Sequence, residues 1–90
     1  MYFTSYIILM ISVRQIKAAR SMLNWSANDL AIKSGIGVAS IRRYEMQDDI
    51  PSANAKNIHQ LIKVFNDAGI EFIGDPLKSP GVILHKYAKQ

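Results

Sequence analysis

Ninety residues suffice for one domain with a modest core and are too few for two. Apolar residues make up 49% and charged residues 20%, the balance of a folded chain, and the lack of cysteine excludes a disulfide framework, a zinc thiolate site and a cysteine nucleophile. The net charge of +4 is unevenly spread: Arg14, Lys17, Arg20, Lys33, Arg42 and Arg43 face only Asp29 and Glu45, whereas five lysines meet five carboxylates beyond Met46 and the first eleven residues carry no charge.

The apolar stretch Met1–Ile11 is too short to cross a bilayer, which needs about 20 helical residues. It also lacks the basic start of a secretory signal. The expected location is therefore the cytoplasm, without a membrane partner. Two readings of the stretch stay open: an extension ahead of a start at Met10, or an added strand or helix packing on a dimer.

Ser12-Val13-Arg14-Gln15 fits a capping box, which predicts a helix from Val13 with an apolar stripe of Val13, Ile16, Ala19 and Leu23. Arg20 falls inside that stripe. Asn24 breaks the pattern, and Ser26 offers a second N-cap for a short helix over 27–34, with Asp29 in its first turn. Gly35-Ile36-Gly37 supplies a three-residue turn, and Val38 to Met46 reads as a third helix. There Ile41, Tyr44 and Glu45 share one face, while Val38, Ser40, Arg42 and Arg43 project elsewhere. Opposite charges on two core-facing stripes predict a pair, Arg20 with Glu45, because a lone buried charge is costly.

Met46 to Pro51 reads as a loop. Ser52 is expected to cap a fourth helix carrying Ala55, Ile58, Leu61, Ile62, Phe65 and Ala68, ended by Gly69. Ile70–Ile73 and Val82–Leu84 are β-rich runs separated by Gly- and Pro-containing turns, hence a hairpin that must pack on the helices or pair with another copy. The expected organisation is an apolar extension (1–11), a helical domain (12–69), and a hairpin and tail packed on it (70–90).

Trp25-Ser26-Ala27-Asn28-Asp29-Leu30-Ala31, Gly35-Ile36-Gly37-Val38-Ala39-Ser40-Ile41 and Tyr44-Glu45 together resemble the phage repressor and Cro type of helix-turn-helix, also called the xenobiotic response element family. The likeness covers about Val13 to Gly69, and the tail is similar to a hairpin appended in many small bacterial members. It implies a mainly α fold of four to five helices with a short C-terminal β-hairpin. It also implies a homodimer on double-stranded DNA and a structural ion pair at Arg20 and Glu45. The third helix would lie in the major groove. By position, Val38, Ala39, Arg42 and Arg43 are the base-facing residues, with Arg43 best suited to guanine. Ser26, Asn28, Lys33 and Ser40 would contact phosphates. Two positions depart from the family pattern: Ala27 replaces a usual glutamine and Gln47 a usual glycine, and Asp48 and Asp49 follow in the loop.

Gly35-Ile36-Gly37 is not a nucleotide-binding loop, since no strand precedes it and Ser40 stands at the third glycine's place. Asn24-Trp25-Ser26 matches a glycosylation acceptor by pattern alone. His59 and His85 have no carboxylate at ligand spacing, so neither a metal, a cofactor nor catalysis is expected. The function expected is a sequence-specific transcriptional regulator of the repressor kind. The alternative is an antitoxin or other protein-interaction module with a toxin-like partner.

Overall fold

A computed structural model describes residues 10–86. The predicted extension lies outside it except for Met10 and Ile11. Four helices, α1 (Val13–Leu23), α2 (Ala27–Ser34), α3 (Val38–Glu45) and α4 (Ala55–Asp67), precede an antiparallel hairpin of β1 (Ile70–Ile73) and β2 (Gly81–Leu84). The fold is thus mainly α with a C-terminal β-hairpin, as expected.

Local chemistry sets the element boundaries. The Ser12 side chain accepts from the Gln15 backbone amide, and the Gln15 side chain accepts in return from the Ser12 amide, closing the capping box of α1. Ser26 and Asp29 form the same reciprocal cap on α2. Asn24 (φ 58°) ends α1 and Gly35 (φ 75°) ends α2, both left-handed. One expectation fails: α4 is capped by Asn54, whose side chain accepts from the Asn57 amide at 2.8 Å, and not by Ser52. The Ser52 amide instead donates to the Gln47 side chain at 2.7 Å, which holds Ser52 in the loop and delays the helix by two residues. Ala55, placed on the apolar stripe by its spacing, is consequently exposed in the first turn.

The core gathers Ile16 and Ala19 from α1, Leu30 from α2, Ile41 and Tyr44 from α3, and Ile58, Leu61, Ile62 and Phe65 from α4, closed over by Ile70 and Phe72. Ile11 is fully buried in it, so the core includes a residue that the expected boundary assigned to the extension. Phe65 is its centre: Trp25 stacks on one side with centroids 5.8 Å apart, and Phe72 meets it edge-on at 5.7 Å.

The hairpin is fastened to the helices by a buried polar contact. Gln15 donates its side-chain amide to the backbone carbonyls of Ile73 at 3.2 Å and Gly81 at 3.0 Å, the residues that face each other at the far end of the hairpin. One side chain therefore caps α1 and anchors both strands. At the near end, Gly69 has φ 98°, and a Cβ built there would lie 2.9 Å from the His85 carbonyl oxygen, so the chain crosses closely where it leaves α4.

Candidate nucleic-acid interface

α2 and α3 are joined by the Gly35–Gly37 turn, and α3 is held from below. Ile41 and Tyr44 are buried on its inner side, and the Tyr44 hydroxyl accepts from the Asn57 side chain of α4 at 2.8 Å. Glu45, at the end of the helix, receives two hydrogen bonds from Arg20, Nε to Oε2 and Nη2 to Oε1, both 2.7 Å. The third guanidinium nitrogen donates to the Trp25 carbonyl at 2.9 Å. The expected pair is therefore present, in bidentate geometry, with the side chains 22% and 11% exposed. The hydrogen bonds to Glu45 push the Arg20 pKa upward against an opposing desolvation, so this guanidinium stays charged at any working pH.

With the inner face so occupied, helical periodicity turns Ala39, Arg42, Arg43 and Met46 outward together, and all four are exposed. Of the expected base-facing residues, Ala39, Arg42 and Arg43 thus share one open face. Val38 is half-buried at its margin. The Arg43 guanidinium lies over the Tyr44 ring, 5.4 Å from its centroid, which biases its stem along the helix while leaving the side chain exposed. The face can offer planar, permanently charged donor forks beside two apolar side chains.

The expected phosphate-contacting residues divide. Ser26 and Asn28 are exposed at the start of α2, where the Ser26 oxygen already accepts from the Asp29 amide. Ser40 is half-buried in the first turn of α3. Lys33 is exposed, with its ammonium 5.1 Å from the centroid of the Trp25 ring. The Asp29 carboxylate has its pKa lowered, chiefly by the hydrogen bond from the Ser26 backbone and then by the Ser26 side chain.

The loop after α3 takes its shape from Gln47, which donates to the Arg43 carbonyl at 3.2 Å and accepts from Ser52. Asp49 adopts a left-handed φ of 57°, and its carbonyl accepts from the Val13 amide at 2.7 Å, docking the loop on the start of α1. Asp48 and Asp49 are both exposed.

Three features escaped the sequence reading. Met46 is 86% exposed on the same face as the arginines, which its spacing four residues after Arg42 would have shown. Ile32 stands out from α2, also largely exposed. Glu71 and His85 meet across the hairpin at 2.7 Å, a pairing set by strand register and invisible to local spacing. Among the described residues, no group of three acidic or histidine side chains could hold a metal ion, and no helix is long and apolar enough to cross a membrane. Neither a protein-family model nor a curated protein matches the chain.

Proposed function

We propose that this protein is a sequence-specific DNA-binding transcriptional regulator of the phage repressor type of helix-turn-helix, working in the cytoplasm as a homodimer. The observation that carries the reading is the outward face of α3, where Arg42 and Arg43 project from a helix tied to the core by the Arg20–Glu45 pair. A helix held at that precision can present guanidinium forks to the O6 and N7 acceptors of guanine in a major groove. Ser26, Asn28, Lys33 and Ser40 supply the surrounding phosphate contacts, which position the protein and read no sequence. The excess positive charge between residues 12 and 45 fits this assignment.

Titration of a random labelled duplex at rising salt, followed by selection of bound sequences from a random pool, tests the proposal. Affinity should fall steeply with salt, and Arg43→Ala should cost about 1–3 kcal/mol on a selected site with relaxed preference for guanine. Salt-independent or absent binding would sink it, and a stoichiometric protein partner on isolation from the native host would point to the antitoxin reading.

A further inference from the structure

We infer that Met46 is a further base-reading side chain, whose thioether packs in the major groove against the 5-methyl group of a pyrimidine beside the guanine read by Arg43. The inference rests on the DNA reading above and adds to it a ligand chemistry, the pyrimidine 5-methyl, which thymine and 5-methylcytosine both present.

Met46 closes α3 without leaving its helical path. Its φ of −87° and ψ of −6° are right-handed, and its amide donates to the Arg42 carbonyl at 3.1 Å. Helical geometry therefore places the side chain, seven residues after Ala39, four after Arg42 and three after Arg43, on the exposed stripe that those residues share. Beyond it the chain turns away: the Gln47 side chain bonds back to the Arg43 carbonyl, and the Asp49 carbonyl takes the Val13 amide of α1. Met46 is thus the last residue that α3 presents outward.

At 86%, Met46 is the most exposed large apolar side chain among the described residues, so packing within the fold does not account for it. A solitary exposed apolar residue needs no explanation in general. Its position beside two arginines is what gives this one a role. An uncharged thioether has no hydrogen to donate to a phosphate, and the 5-methyl is the apolar group that base edges carry in the major groove. Ala39, the other apolar residue of the stripe, is short and stands at the second position of α3, where a docked recognition helix comes closest to the bases. At the opposite end the helix draws away from them, and the long, flexible, polarisable side chain of methionine supplies the missing reach. The rise from Arg43 to Met46 is about 4.5 Å, little more than one base-pair step of about 3.4 Å. The methyl group so contacted adjoins the guanine.

Competition titrations on a duplex site selected by the wild type test the assignment, with the guanine read by Arg43 located by the preference that Arg43→Ala relaxes. Each thymine in turn is replaced by deoxyuridine, which lacks only the methyl group, and each cytosine by 5-methylcytosine, which only gains it. At one pyrimidine beside that guanine the methyl group should be worth about fourfold in affinity to the wild type. Met46→Ala should become indifferent to that methyl group while keeping the guanine preference, the salt dependence and the urea midpoint. Met46→Leu should restore the discrimination. A loss with uracil assigns thymine as the source, and a gain with 5-methylcytosine extends the contact to methylated DNA. A Met46→Ala chain that still discriminates at that pyrimidine, or a wild type indifferent to the methyl group at every pyrimidine beside the guanine, would overturn the assignment and leave the DNA reading in place. A wild type that selects no site removes the DNA reading itself, and this contact with it.

Discussion

Arg20 satisfies two partners at once, the Glu45 carboxylate and the Trp25 carbonyl, and so ties α1 to the end of α3 and to the turn before α2. Removing it leaves a mostly buried carboxylate without its partner. Arg20→Ala should lower unfolding stability by about 3 kcal/mol, seen as a lower urea midpoint. Arg20→Lys should recover only part of that loss, since an ammonium cannot form the two parallel bonds. Asp29 links stability to pH. Its lowered pKa means that the capping box of α2 contributes fully above the ordinary aspartate range and fades as the pH falls through the lowered value. The stability gap between wild type and Asp29→Asn should therefore be greatest near neutrality and close in acid, and an unchanged gap at low pH would contradict this. Arg20 and Glu45 were legible in the sequence because each charge interrupts an apolar stripe. Gln15 was legible only in part: its role in the capping box is local, but its bonds to Ile73 and Gly81 reach 58 and 66 residues along the chain and leave no periodic trace.

At the scale of elements, boundaries with a cap and a glycine or asparagine at the far end could be read directly, as for α1 and α2. The start of α4 could not. Ser52 and Asn54 are both good caps, and the choice falls to the Gln47 side chain, which captures the Ser52 amide from five residues away. Gly69 lies at the other end of α4, where positive φ and the His85 carbonyl both exclude a side chain. Gly69→Ala should therefore cost more than about 1 kcal/mol in thermal or urea unfolding, with the loss centred on the hairpin in amide exchange. Replacing Gln15 by leucine should also loosen the hairpin, raising exchange at β1 and β2 before α2 and α3 respond.

For the molecule as a whole, the concentration of positive charge between residues 12 and 45 makes a prediction about salt. On the proposed DNA reading, Lys33→Gln should reduce the slope of log affinity against log salt by about one, with little change in sequence preference. Lys56→Gln, an equal loss of charge in the electrically balanced half, should leave the slope nearly unchanged. The fold class and the core faces of α1, α3 and most of α4 could be read from periodicity. The pairing of Glu71 with His85 and the reach of Gln15 to the hairpin depend on how elements pack and became visible only in three dimensions.

Trp25 is the chain's one tryptophan, with Phe65 stacked on it and the Lys33 ammonium near its ring. The protein thus carries an intrinsic optical probe placed between its core and its surface. Melting the core should move the emission of that ring to longer wavelength as Phe65 leaves it. Capture of Lys33 by a phosphate should instead perturb the emission while the helices remain intact. One fluorescence trace, read against circular dichroism, separates engagement of the surface from loss of the fold without any added label.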